Sequence, residues 1–212
     1  MASHIGKLIL KGKIRLLSPA IIGSGKDERS DADVLRDSEG RAYIPATSFC
    51  GVLRHSIKLD SSYRRKLEEF WGTTEEEELQ RQSSIIIDDL TPDSEPDLSI
   101  RDGVKIDNKR GIAEDKKKFD YEVIEPGYTF NLYIEVSLNG RDDEFKKRML
   151  STIVEYLKAD RIRIGAKTNS GFGRITIEDY ETFLFDFTKK ENVLSWLKRE
   201  YPPPIPLTEQ PF

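Results

Sequence analysis

Residues 128–138, YTFNLYIEVSL, constrain the fold more than any other stretch, because Tyr128, Phe130, Leu132, Ile134, Val136 and Leu138 recur at every second position. A period of two puts all six side chains on one face of a β-strand, whereas a helix would scatter them. A second alternation over residues 7–16 sets Leu8, Leu10, Ile14 and Leu16 against Lys7, Lys11, Lys13 and Arg15. That pattern predicts a half-buried strand with a basic outer face. Either this face meets a polyanion, or its lysines deter edge pairing as they do on other exposed strands.

Helical spacing falls between the strands. Phe49, Val52, Leu53 and Ile57 predict a helix after IPATS, with Ser48 or Thr47 as its N-cap, and the helical pattern resumes over residues 62–71. Phe145, Met149, Ile153 and Tyr156 or Leu157 form the stripe of a second long helix over about 142–159. Residues 84–88, SIIID, read as a short buried strand; residues 161–165 and 174–178 read as strands flanking a Gly-rich loop. A last short helix over 192–201 ends at Pro202-Pro203-Pro204. Residues 90–120 are polar, charged and weakly patterned, which inside a domain marks a functional insertion. The order is strand, helix, strand, insertion, strand, helix, strand. It predicts an α+β fold with a ferredoxin-like βαββαβ core and an antiparallel sheet. One domain is expected over 5–185, with the insertion at about 90–122, followed by a C-terminal helix and Pro-rich tail over 186–212.

With 34% charged and 37% hydrophobic residues, much of the surface must be solvated or given to a partner. The net charge of −4 argues against a polyanion binder on average, but the acid is concentrated in runs such as residues 75–78, away from the basic segments. The single cysteine, Cys50, excludes an internal disulfide and a cysteine-built zinc site. No stretch approaches the ~20 apolar residues of a membrane span, and no signal peptide precedes the first strand. A cytoplasmic location without membrane partners is expected.

Three segments carry candidate chemistry. The loop IGAKTNSGFGR combines Gly165, Gly171 and Gly173 with Lys167 and Arg174. Glycines allow a phosphate to approach backbone N–H groups and the cations supply charge, although a Gly-rich hairpin needs the same residues for its turn. In IPATSFCGVLR, Ser48 stands at a helix start with Gly51 and Arg54 following, so the segment is either an anion site or an ordinary cap. The insertion carries Arg110 and Lys116, Lys117 and Lys118 beside Phe119 and Tyr121. Basic residues interleaved with aromatics can neutralise phosphates and wedge bases, or form a solvated hairpin.

In this order, the N-terminal strand and the blocks IGSGKDERSDADVLRDSEGRAYIPATSFCGVLR, RDGVKIDNKRGIAEDKKKFDYEVIEPG and RIRIGAKTNSGFGRI resemble the RAMP superfamily. The resemblance is to the repeating backbone subunits of type III CRISPR effector complexes and spans roughly residues 7–178. It implies an RRM-like core with a thumb-like hairpin that displaces bases of a guide–target duplex. In that family an aspartate shortly before a Val-Leu-Arg-Asp run cuts target RNA. Here the run is residues 34–37, so the implied catalytic and metal-binding residue is Asp31, with Asp33 as its competitor. The family helix start, Pro-Gly-Ser-Ser-Leu-Lys-Gly, matches at Ser48, Gly51 and Arg54, while Cys50 replaces its guide-contacting lysine. The resemblance further implies Mg2+ or another divalent cation and attack by a 2′-hydroxyl. Its implied partners are guide RNA, target RNA, other CRISPR effector subunits and further copies of the chain.

Other readings fit parts of the same pattern. A non-cutting structural subunit keeps the fold and loses only the role of Asp31. A guide-processing nuclease would use histidine, yet the chain offers only His4 and His55, and His55 fits an exposed helix position. An interaction domain without RNA would explain the acidic balance.

Overall fold

A computed structural model describes residues 5–23, 34–73, 82–106, 113–207 and 210–212, and within these the side chains between 102 and 119 are outside the description. In chain order the elements are β1 (Gly6–Leu16), α1 (Ala46–Ser56), α2 (Arg64–Trp71), β2 (Ile85–Ile87), β3 (Leu98–Ile106), β4 (Ala113–Ile124), β5 (Thr129–Leu138), α3 (Asp143–Lys158), β6 (Ile175–Asp186) and α4 (Lys190–Lys198). Four strands pair in the order β2-β5-β1-β6, every pair antiparallel. With α1 and α2 connecting β1 to β2, and α3 connecting β5 to β6, this is the ferredoxin-like βαββαβ arrangement. The strands β3 and β4 form a separate two-stranded ribbon.

Period-two burial explains the sheet. Leu8, Leu10 and Ile14 of β1 and Phe130, Ile134 and Val136 of β5 are buried on the helical face. Phe49 and Leu53 of α1 and Met149, Leu150, Ile153 and Leu157 of α3 close over them. At about 1.5–3 kcal/mol for each fully buried large apolar side chain, this layer supplies most of the driving force. Among the described residues, no helix is long and apolar enough to cross a membrane.

The second face of the sheet differs from the expected basic surface. Ile9, Phe183 and Phe185 are buried there beneath α4, packed with Tyr133, Phe187 and Trp196. Beside this patch the β1 cations meet carboxylates: Lys7 pairs with Glu135, Lys13 with Asp93, and Arg15 with Glu178. The exposed pairs Lys13–Asp93 and Arg15–Glu178 are worth no more than about 1 kcal/mol each, while Lys7 balances the buried Glu135 carboxylate; together the three pairs neutralise the face. The tail then passes the β6 edge, where Ile205 N–H donates to the Thr182 carbonyl at 2.7 Å. It ends on the helical face, where the Phe212 ring lies 5.1 Å from that of Tyr63 and 5.3 Å from that of Phe145.

Four local expectations change. Helix α1 starts at Ala46 with Pro45 as N-cap, placing Thr47 and Ser48 inside its first turn; the backbone N–H of Ala46 donates instead to Asp89 Oδ1 at 2.7 Å. A carboxylate from the loop after β2 therefore serves this helix end, and Asp89→Ala is expected to destabilise the fold by about 1 kcal/mol in urea denaturation. Strand β2 is an edge strand with Ile86 50% exposed, not a buried one. The predicted strand at 161–165 shrinks to one bridge between Arg163 and Arg174, while β6 runs on to Asp186. Finally, α4 stops at Lys198, and Arg199 turns into a left-handed conformation with φ 57°.

Candidate nucleic-acid interface

The stem around residues 20–36 and the Gly-rich loop both meet one end of the β3–β4 ribbon. The chain leaves the sheet through Ala20, which bridges Ile124 of β4, and then Gly23 bridges Val34. Residues 24–33, with Asp31 and Asp33, lie outside the described residues, but Val34 and Gly23 on either side belong to one stem. Glu122 of β4 holds that stem: its Oε2 accepts from the Val34 backbone N–H at 3.1 Å, and its Oε1 accepts from Arg36 at 2.6 Å.

The Val-Leu-Arg-Asp run itself has structural duties. Val34 is buried, and Asp37 accepts backbone N–H bonds from Glu39 and Arg41, both at 2.9 Å. The Arg41 backbone N–H contributes most to holding the Asp37 carboxyl below the usual carboxylate range. This turn folds Arg36 back beside Ala42 and delivers the chain through Tyr43 and Ile44 into α1.

On α1, Ser48 is exposed, and Gly51 and Arg54 are half-buried. A Cβ built on Gly51 would meet nothing within 4 Å. Glycine inside a helix costs about 0.5–1 kcal/mol relative to alanine, and no packing among the described residues requires it here. The vacancy suits a close backbone approach by a ligand. Arg54 forms no ion pair with a described residue, and its charge acts on Cys50, whose thiol is pushed up mainly by burial and only partly offset by Arg54.

The Gly-rich loop closes the other side. Gly165 packs against the Ile21 carbonyl, and Ala166 N–H donates to that oxygen at 2.9 Å. Gly173 N–H donates to Pro19 O at 2.8 Å. Gly171 is exposed and left-handed (φ +88°) with open space around it. Lys167, also left-handed, places Nζ 3.4 Å from the centroid of the Tyr121 ring on β4. The Tyr121 ring in turn meets Phe172 edge-on at 6.1 Å. Arg174 is committed within the chain: its guanidinium donates to Asp160 Oδ2 at 2.8 Å, which raises its pKa, and its backbone N–H donates to Ser18 Oγ at 2.9 Å.

Thus the loop with Lys167 and Gly171 and the stem on either side of residues 24–33 are bonded to one another through residues 19–23, whereas Ser48, Gly51 and Arg54 follow that stem on α1, with Arg54 turned to a groove against α2. Gly173 and Arg174 bond within the chain, to Pro19 and to Ser18 and Asp160, and Arg110 lies outside the described residues. Sequence reasoning missed Glu122, Asp89 and Asp160, because each acts on a residue distant in the chain and no local pattern marks such a partner. Among the described residues, no group of three or more His, Cys, Asp or Glu could hold a metal ion. The divalent cation implied for Asp31 therefore falls on a residue outside the description. Comparison with protein-family models matches residues 13–176 to the RAMP superfamily. No curated protein matches the chain.

Proposed function

The chain belongs to the RAMP superfamily, which makes it a CRISPR-associated RNA-binding subunit, and from that premise we propose that it is a backbone subunit of a type III effector that binds guide RNA and cuts the complementary target. The family includes some RNases. In this reading Asp31 is the general base that takes the proton from the 2′-hydroxyl next to the scissile phosphate, or holds a divalent cation there, with Asp33 as the neighbouring alternative. The β3–β4 ribbon is the thumb that kinks the target, making in-line attack accessible. Guide RNA, target RNA, other effector subunits and further copies of the chain are its partners.

The observation that supports this reading is the Glu122 clamp. One carboxylate on the ribbon holds both the Val34 backbone and the Arg36 side chain, so the segment leading from Asp31 is tied to the element that would displace the base. Arg54, which lines a groove between α1 and α2, and Lys167, which lies over Tyr121 of the ribbon, are the proposed guide-phosphate contacts, together with Ser48 and the open backbone at Gly51.

Filter binding of single-stranded RNA between 50 and 200 mM salt tests the interface. Arg54→Ala and Lys167→Ala are each expected to reduce the magnitude of the salt slope by about 1, the signature of one lost phosphate contact. Lys13→Ala, which removes a cation already paired with Asp93, is expected to leave the slope unchanged. Absence of RNA binding even at 50 mM salt would sink the reading.

A further inference from the structure

The second face of the sheet holds a cavity of about 510 Å³ beneath the end of α4, within the size range of small-ligand sites. Phe185 lies at its base, and Tyr133, Trp196 and Tyr201 also line it. The Phe185 ring meets Trp196 at 5.3 Å and Tyr201 at 5.9 Å, both edge-on. An aromatic cluster between a sheet and a helix ordinarily packs shut. Here α4 contributes no fully buried residue, and Leu197 on its rim is 71% exposed, so the aromatic surfaces keep an open side.

The charges around this opening are also unusual for the strand that carries them. Lys7, Lys13 and Arg15 of β1 each meet a carboxylate. Lys11 meets none among the described residues, although Glu181 lies opposite it in the β1–β6 register; its Nζ rests 3.4 Å from the centroid of the Tyr201 ring. Arg199, which also lines the cavity, forms no ion pair with a described residue. Two uncompensated cations beside several aromatic faces suit an anion that carries a flat ring. Asp88, exposed on the same rim, adds an acceptor for the N–H groups of a base edge.

We propose that this cavity binds a single unpaired nucleotide, its base stacked among Tyr133, Trp196 and Tyr201 and its phosphate held by Lys11 and Arg199. Base–aromatic stacking tolerates any base, and each cation–phosphate contact adds a salt-sensitive increment. Binding would lift Lys11 from the Tyr201 ring onto the phosphate. The site lies on the sheet face opposite α1 and does not depend on the RNA-cutting role proposed above. Its occupant is either a free nucleotide or one residue of a longer RNA.

Fluorescence titration of the full chain reads this directly, since stacking on Trp196 quenches its emission; Trp196→Phe identifies the part of the signal that belongs to this site. Guanosine 5′-monophosphate, guanosine and a five-nucleotide RNA are the probes. The expected result is saturable quenching by the monophosphate and binding at least about tenfold weaker for guanosine, for Lys11→Met and for Tyr201→Ala. Arg199→Ala, at an exposed position on the cavity rim, should also weaken binding and guards against a folding defect in the other two variants. Saturation by the monophosphate marks a free nucleotide as a sufficient ligand; quenching by the five-nucleotide RNA alone, retained in an Arg54→Ala/Lys167→Ala variant, marks an RNA segment. The proposal is overturned by no quenching with either probe. It is equally overturned by quenching that disappears in Arg54→Ala/Lys167→Ala and survives Lys11→Met, which would locate the ligand at the other interface.

Discussion

Asp31→Ala is expected to lower the rate of target-RNA cutting by about 10²–10⁴-fold, the range lost when a positioned general base is removed, while guide binding stays within twofold or so of wild type. The separation follows from where the charges lie. In the proposed reading guide affinity comes from phosphate contacts by residues such as Arg54 and Lys167, and removing one carboxylate does not touch them. Cutting depends on a base beside the 2′-hydroxyl, for which those cations cannot substitute. Effector complexes assembled with guide RNA, a labelled complementary target and magnesium give the rate, with Asp33→Ala as the comparison. Loss confined to Asp31→Ala assigns the base to Asp31, and loss confined to Asp33→Ala moves it there. Wild-type complexes that hold guide and target yet make no cuts would make the chain a structural subunit of the same kind of complex.

The parts of this fold that were legible are those where one chain segment decides its own burial. Phe130, Leu132, Ile134, Val136 and Leu138 face one core, so their period of two survives in the sequence, and the stripe Phe145, Met149 and Ile153 of α3 survives for the same reason. The β3–β4 ribbon is a two-stranded element outside the main sheet, and among its described side chains Val123 and Ile124 are buried as neighbours while Ile100 is 72% exposed, so no sustained alternation marks it in the sequence. Ile9, Phe183 and Phe185 stand on the face that also carries Lys13, Arg15 and Glu178. Only the return of α4, well after β1 in sequence, decides which part of that face is dry. At the candidate interface the segments Ser48, Gly51 and Arg54 and the Gly-rich loop are singled out by their residue types. Their supports are not, because Asp89 on the α1 end, Glu122 on the stem and Asp160 on Arg174 are ordinary surface acids until the fold brings them to their partners.

Gly173→Ala distinguishes a glycine that a ligand needs from one that the fold needs. At φ +72° an alanine is already strained by about 1–2 kcal/mol. Its Cβ would in addition stand 1.9 Å from the Ile164 carbonyl oxygen, 2.9 Å from that carbonyl carbon and 3.0 Å from the Ile164 nitrogen. All three are backbone atoms, so no side chain can swing aside. The Gly173 carbonyl accepts from Ile164 N–H at 2.9 Å, and relief of the clash must break this bond as well as the bridge between Arg163 and Arg174. The expected cost is about 4 kcal/mol, at the upper end for a single substitution. At about 2–4 °C per kcal/mol for a chain of this size, Tm should fall by roughly 8–16 °C. Gly171→Ala carries only the strain of its left-handed φ of +88°, since nothing lies within 4 Å of its Cβ; it should cost about 1–2 kcal/mol. Calorimetry on the two variants gives the ordering. If Gly173→Ala kept its Tm and lost only RNA affinity, the glycine would serve phosphate approach; a large fall in Tm assigns it to the seam that holds the Lys167 loop against residues 19–21, and RNA binding should then weaken as a consequence of that loop moving.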